Sequence, residues 1–257
     1  MSSDTILFFT SPSPEKSLEN VSFDVNPLFD IVIFYYKKIK DIKDIKGSIS
    51  IAEDFSVIHL KSLIHETEGK GQILQKIDEF LKVNKLYKKY KYVGIFDDDL
   101  VCSFSGINEM LTIARKYKLD SFQPSLTKDS FFSHEFTLKK NTQLIHYVKW
   151  VEIMCPIYSS NLFKLSASFF KESISSWGVD CYVFPIVSRI NSYSSHAVID
   201  KVSVSHIRKI TSGQIRYSNG LTAKEEKEKL RRIMITYLNK INPSLFNYKD
   251  IQSIFNF

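Results

Sequence analysis

Glycine is scarce in this chain. Of 257 residues only 8 are glycine, about 3% where about 7% is ordinary. That excludes collagen-like and glycine-rich low-complexity chains, and it leaves little material for loops that wrap phosphates. None of G-x-G-x-x-G, G-x-x-x-x-G-K-[ST] or G-x-S-x-G occurs. Dinucleotide-binding dehydrogenases, P-loop nucleotidases and α/β-hydrolases therefore lose their usual sequence support. Cysteine is scarce too. Cys102, Cys155 and Cys181 are too few and too scattered for a disulfide framework or a zinc site, and they read as free thiols in a reducing compartment. His65-Glu66 lacks the second histidine of a zinc-protease helix. No stretch approaches the ~18–20 apolar residues of a membrane span. Met1–Thr10 has no basic start and too short an apolar run for a secretory signal. A soluble, cytoplasmic protein is expected.

Enough apolar material is present for a core. Hydrophobic residues make up 44% and aromatics 14%, with 20 Phe and 13 Tyr. At this length one large domain or two small ones are expected. Lys and Arg number 35 against 28 Asp and Glu, for a net charge of +7. A balance of that size suits nucleic acid, an anionic membrane surface or phosphorylated substrates without choosing among them.

The order of elements alternates. Phe29–Tyr36 reads as a buried strand, Lys37–Lys46 as a surface loop, and Ser56–Leu60 as a second strand. Gly69-Lys70-Gly71 punctuates the chain before a helix with Ile73, Leu74, Ile77, Phe80, Leu81 and Tyr87 on one face. Its Lys-rich end suits a helix C-terminus. Tyr92–Phe96 reads as a strand, Ser105 as the N-cap of a helix carrying Ile107, Met110, Leu111 and Ala114, and Ser121–Pro124 as a short strand. Strand, helix, strand, helix, strand predicts an α/β fold with a mostly parallel sheet flanked by helices. Further on come a helix from Ser160 to Glu172, a turn at Trp177–Asp180 and a strand over Ala197–Ser205. Thr222-Ala-Lys-Glu225 is a capping box. The helix behind it is apolar at Leu230, Ile233, Met234, Tyr237, Leu238 and Ile241 and basic on its other face. Residues 1–215 are expected to form one domain, with 216–257 a helical extension packed on it.

Asp97-Asp98-Asp99 follows the Tyr92–Phe96 strand directly. In open α/β sheets ligands bind beyond the carboxyl ends of the strands. Adjacent carboxylates there repel one another unless a cation neutralises them, and such oxygen clusters suit Mg²⁺ or Mn²⁺ bridging to a diphosphate. The plain alternative is a solvated acidic turn.

A strand followed by Asp97-Asp98-Asp99 resembles the D-x-D motif of GT-A-fold nucleotide-sugar glycosyltransferases. Further stretches, in order, resemble one family. They are Phe23-Asp24, Tyr35-Tyr36, Lys70 before a helix, Phe96–Leu100, Gln123–Leu126, Ser133-His134, Trp150–Pro156 and Ser176–Asp180. This is an uncharacterised bacterial and plant family whose plant members carry the label "lysine-ketoglutarate reductase trans-splicing related". The resemblance spans about residues 23–206. Cys155 departs from the small residue expected there, and Ile145–Lys149 from the expected lead into Trp150.

The resemblance implies a GT-A-like, Rossmann-like domain. It would transfer a sugar from a nucleotide diphosphate sugar to a hydroxyl on a glycan or lipid-linked acceptor, in bacterial surface polysaccharide synthesis such as capsule or lipopolysaccharide. By the same resemblance, Asp97, Asp99 and His206 hold Mn²⁺ or Mg²⁺. Asp180 takes the acceptor's proton in an inverting displacement. Asp98 falls on the donor side. Lys70, at a helix start, reaches the donor phosphates; Tyr35 and Tyr36 stack its base. His134, Glu152 and Trp177 lie near the acceptor. Each has a structural alternative: a loop lysine, core tyrosines, packing tryptophans, a strand-end histidine, or an acid answering a helix dipole.

Two other readings remain open. A metal-dependent phosphoesterase or nuclease would use the same Asp run, but two-metal hydrolysis needs a second cluster of ligands, and none stands out in the sequence. A non-catalytic nucleic-acid binder would use Lys224, Lys227, Lys229, Arg231, Arg232 and Lys240, but it leaves the Asp run unexplained; nucleic acid is not expected. Those same cations could instead dock the protein on the anionic inner leaflet, or be a merely solvated face.

Overall fold

The computed structural model describes residues 3–39, 61–141 and 143–241. Its strands are β1 (Thr5–Ser11), β2 (Val21–Ser22), β3 (Asp30–Tyr35), β4 (Lys61–Ile64), β5 (Tyr92–Phe96), β6 (Leu100–Ser103), β7 (Ser121–Leu126), β8 (His146–Tyr147), β9 (Ile157–Ser159) and β10 (His196–His206). Its α-helices are α1 (Lys70–Val83), α2 (Phe104–Tyr117), α3 (Ser160–Ser166), α4 (Phe184–Ile190) and α5 (Ala223–Ile241). The sheet runs β2-β6-β10-β7-β9-β5-β1-β3-β4, with β8 pairing to β10. It is parallel from β4 through β3 and β1 to β5. Antiparallel β9 bridges β5 to β7, and β7 and β10 resume parallel pairing.

β1 is the inner strand on which the parallel half is built. Every residue in it is buried. Ile6 and Phe8 face one core, while Leu7 and Phe9 face the other. The two-residue period of a strand thus serves helical layers on both faces. The first core takes in α1, α3, α4 and α5; the second takes in α2. Leu230, Met234 and Leu238 of α5 lie within the first core. The expected strand around 56–60 falls outside the described residues, as do most of the loop at 37–46 and the chain after residue 241.

Several local expectations change. The cap of α2 is Ser103, whose hydroxyl accepts the Gly106 N–H at 3.1 Å. Ser105 instead sits in the first turn, where its N–H donates to Asp24 at 2.9 Å. Tyr87 lies beyond α1, in a 3₁₀ turn, and its hydroxyl ties back to Asp78 at 2.7 Å. The helix expected over 160–172 is α only to Ser166 and continues as 3₁₀. Trp177–Asp180 is less a free turn than the entry to a π-helical turn, Val179–Val183, after Gly178 at φ 91°. The capping box closes as expected: the Thr222 N–H donates to Glu225 at 2.7 Å and the Glu225 N–H to Thr222 Oγ1 at 3.3 Å.

Two features bring the site together. The antiparallel register pairs His206 with Leu100, so Asp99 comes beside His206. The second is Glu226 on α5, fully buried. Its carboxylate accepts from the Ile174 and Ser175 N–H groups at 2.9 and 2.8 Å, from the Ser173 hydroxyl at 2.9 Å and from Asn219 at 2.7 Å. This anchors the stretch leading into Trp177–Asp180. The same stretch also packs on the start of α1. There the Gly71 N–H donates to the Ile174 carbonyl at 2.8 Å, and a Cβ on Gly71 would collide with the Ser173 and Ile174 carbonyls. Gly71 is thus demanded by close backbone approach.

Candidate active site

A cavity of about 370 Å³ opens beyond the end of β5. Asp97, Asp99, His134, Glu152, Trp177, Asp180 and His206 all line it, as do Arg208, Lys209 and Lys227. Residues from six separate stretches of sequence therefore converge.

On one side stand the strand-end acids. Asp99 is 8% exposed. Its Oδ2 lies 3.4 Å from His206 Nε2 and 3.5 Å from Arg208. Burial works to raise its pKa, but His206, Arg208 and Lys70 outweigh it and hold the carboxyl below its ordinary value. Its other oxygen, Oδ1, is buried without a hydrogen-bond partner. His206 Nδ1 is 2.6 Å from the Phe131 carbonyl. A carbonyl only accepts, so Nδ1 carries a proton. A neutral His206 therefore turns the lone pair of Nε2 toward Asp99. Burial lowers the His206 pKa, and Asp99 together with that carbonyl more than reverses it.

Asp97 is held differently. Its Oδ1 receives Lys70 Nζ at 2.7 Å. Lys70 also donates to the Met154 carbonyl at 3.3 Å and to the Ile153 carbonyl. All three ammonium donors are thereby occupied, and Lys70 does not line the cavity. The expectation that it reaches donor phosphates gives way to a role beneath Asp97. Withdrawal from water pushes the Asp97 pKa up to about 6, with Lys70 opposing and the Asp99 and Asp98 charges adding to the rise.

Asp98 turns outward to Arg208 at 3.2 Å and Tyr36 Oη at 3.3 Å. Tyr36, pushed up to about 12 by burial and by Asp98, thus stands by the acid run without lining the cavity. Tyr35 does not join it. The ring is fully buried in the second core, and its hydroxyl meets Ser17 at 2.8 Å, so no face is left to stack a base.

On the opposite side Glu152 and Asp180 are each 7% exposed. Glu152 Oε2 accepts the Met154 N–H at 2.9 Å, and Asp180 Oδ1 the Cys181 N–H at 2.8 Å. Burial, with the Asp180 charge added, pushes Glu152 up to about 8. Burial also raises Asp180, against the Cys181 N–H and the Lys227 charge. His134 stacks on Phe136 with centroids 5.5 Å apart and meets Trp150 edge-on at 4.7 Å. Burial and Lys227 lower its pKa. Trp177 both lines the cavity and packs under Gly213, where a Cβ would meet its ring at 2.5 Å.

Sequence reasoning missed Arg208 as a site residue and treated Lys227 only as part of a basic face. Arg208 had a signal: it stands two residues past His206 at the same strand end. The remaining α5 cations are mostly engaged. Lys229 pairs with Glu172 at 3.0 Å, and Arg231 and Arg232 pair with Glu228 at 2.9 and 3.3 Å.

The acid side suits a divalent ion. Asp99 offers an unpartnered buried oxygen, Oδ1, and His206 in its neutral form a ring nitrogen 3.4 Å from the other oxygen; carboxylate plus imidazole suits Mn²⁺, and Mg²⁺ through the oxygens. Among the described residues no group of three or more His, Cys, Asp or Glu side chains is gathered for an ion. Asp97, at the same strand end, is engaged with Lys70.

Comparison with solved structures identifies the fold as that of GT-A glycosyltransferases. The S. aureus TarS fragment 1–349 in complex with UDP-GlcNAc aligns at a TM-score of 0.63 and 9% identity, covering 98% of this chain and 70% of that one. The same fragment with UDP gives 0.58 and 8%, covering 98% and 69%. A further S. aureus TarS structure gives 0.60 and 9%, with this chain spanning 42% of that one. No curated protein matches the sequence. Residues 77–247 match the family described as "Protein of unknown function (DUF707)", and the chain belongs to that family.

Proposed function

We propose that the protein is a glycosyltransferase that moves a sugar from a nucleotide diphosphate sugar to a hydroxyl acceptor. One observation carries this reading: Asp97, Asp99 and His206 meet Asp180 across a single cavity at the strand ends of a GT-A fold. The solved relatives of that fold in complex with UDP-GlcNAc and with UDP support a sugar-nucleotide donor.

Asp99 and His206 would hold Mn²⁺ or Mg²⁺. The ion, when bound, supplies neutralisation of the charge leaving with the diphosphate. Lys70 keeps Asp97 in place by ion pair. Arg208, bound to Asp98 and Asp99 at the cavity mouth, adds positive charge where the diphosphate would lie. Asp180 accepts the proton of the acceptor hydroxyl. The hydroxyl oxygen bonds to the anomeric carbon as the bond from that carbon to the diphosphate oxygen breaks. The bonding pair departs on the nucleoside diphosphate, and the anomeric centre inverts. Burial of Asp180 raises its proton affinity, which favours it as base near neutral pH. His134, Glu152 and Trp177 frame the acceptor.

The setting we propose is bacterial surface polysaccharide synthesis on the cytoplasmic side, with a glycan or lipid-linked acceptor. Contact with an anionic membrane through α5 would rest on Lys224 and Lys240, since the other cations of that helix line the cavity or are paired. Co-sedimentation with anionic vesicles, lost on reversing those two charges, tests that point. The reaction itself is tested by incubation with Mn²⁺ and a panel of UDP-, GDP- and CMP-sugars. Donor hydrolysis or transfer with one of them is expected; neither binding nor hydrolysis with any of them overturns the reading.

A further inference from the structure

The cavity does not end on its acceptor side. Ser133 and His134 line it and also a second concavity of about 710 Å³. Val148, Lys149 and Trp150 are shared in turn with a third, of about 360 Å³. The three adjoin through these shared residues, and most of their combined volume lies outside the inner cavity. A single acceptor sugar needs only the inner part.

The shared wall is held in place. His146 Nδ1 meets Asp200 at 2.6 Å and its Nε2 meets the Phe136 carbonyl at 2.8 Å. The Lys140 N–H donates to the same buried carboxylate at 2.7 Å. The Phe136 ring meets Trp150 edge-on at 4.8 Å, making an aromatic wall with His134. Tyr147 stands on the rim, 62% exposed. The outer parts are lined by exposed Lys140, Lys149 and Arg189. Glu135 is the one carboxylate among their described lining residues. The exposed Tyr147 ring can take the apolar face of a pyranose, and Lys and Arg take carboxylates or phosphates. An apolar wall edged with cations therefore matches a chain of acidic sugars.

We propose that the three concavities act as one trough that binds the chain of an acidic oligosaccharide acceptor, so that the sugar is added to a unit of a polymer rather than to a free monosaccharide. This rests on the glycosyltransferase reading, and the test separates the two. Calorimetric titration uses oligogalacturonides of one to six units, malto-oligosaccharides of the same lengths, phosphatidylglycerol vesicles and, in the same protein, UDP with Mn²⁺. Affinity for the acidic series is expected to rise at least ten-fold from one to four units and to fall with added salt. The neutral series should rise less. The double variant Lys140→Glu, Lys149→Glu should lose at least ten-fold on the longest acidic oligomer while binding UDP as before. The proposal is overturned by a flat acidic series, by an equal rise in the neutral series, by an unaffected variant, or by vesicle binding without oligosaccharide binding. Absence of UDP binding would instead count against the glycosyltransferase reading, whereas intact UDP binding with a flat series overturns the trough alone.

Discussion

The two sides of the cavity use the same chemical group in opposite ways. Asp99 and Asp180 are about equally buried. Asp99 has His206 and Arg208 within about 3.5 Å and is held ionised below its ordinary range. Asp180 and Glu152 have backbone N–H donors and no ion pair at such range among the described residues, and burial pushes both up. Equal burial thus yields a carboxylate held ionised on one side and two of raised proton affinity on the other. What separates them is placement. Asp99 sits where two strand ends bring a histidine and an arginine to it. Asp180 sits in a π-helical turn inside an apolar layer. Perturbed carboxylates of both kinds in one cleft are what catalysis by charge neutralisation and proton transfer requires.

Removing the anion should have the larger effect. Asp99→Asn is expected to lower transfer by about a hundred- to a thousand-fold, on the scale of removing an electrostatic stabiliser, and His206→Ala by somewhat less. Steady-state transfer across a Mn²⁺ titration reads both, and the metal requirement should move to higher concentration. Asp180→Asn sharpens the contrast. It should cost about a hundred-fold in kcat while leaving the UDP affinity unchanged, as competition titration would show. If Asp180→Asn weakened UDP binding as much as Asp99→Asn, the two sides would not be distinct.

Much of this contrast was legible in the sequence. The acid run stands directly after a buried strand, and position alone marked it. His206 was readable at the end of a long strand, and Asp180 from its motif. Tyr35 and Tyr36 show what was not. Neighbouring strand residues point to opposite faces, so one tyrosine meets Asp98 while the other is buried in the core, and no composition distinguishes them. β1 was passed over because Ile6–Phe9 is a continuous apolar run with no alternation to read, which is what burial on both faces produces. Lys227 was read with the other basic residues of its helix. Only the anchoring of its neighbour Glu226 shows which way α5 faces the cavity.

That anchor carries the next prediction. Glu226→Ala leaves several buried donors unanswered and should cost about 3 kcal/mol, lowering the Tm by roughly 6–12 °C. Activity should fall further than stability explains, because the stretch before Asp180 is released. Thermal unfolding alongside kcat gives the comparison. The smallest effect concerns Glu152. Its pKa stands at about 8 in the folded protein against an ordinary 4.5. Between those values the unfolded chain gives up a proton that the folded one keeps, so this residue makes stability fall as pH rises. Glu152→Gln keeps an acceptor for the Met154 N–H and removes that slope. Relative to wild type it should gain on the order of 2 kcal/mol from pH 5 to pH 6.5, read from denaturant unfolding at both pH values.

The central claim is that the acid side of this cavity holds a nucleotide diphosphate through a divalent ion. Calorimetric titration of UDP at pH 7, with and without Mn²⁺, on wild type, Asp99→Asn and Asp180→Asn tests it most directly. The account predicts tight binding only with Mn²⁺ in the wild type, retained in Asp180→Asn and reduced at least ten-fold in Asp99→Asn. UDP binding that ignores Mn²⁺ and is the same in all three proteins, or no binding in any, would contradict it.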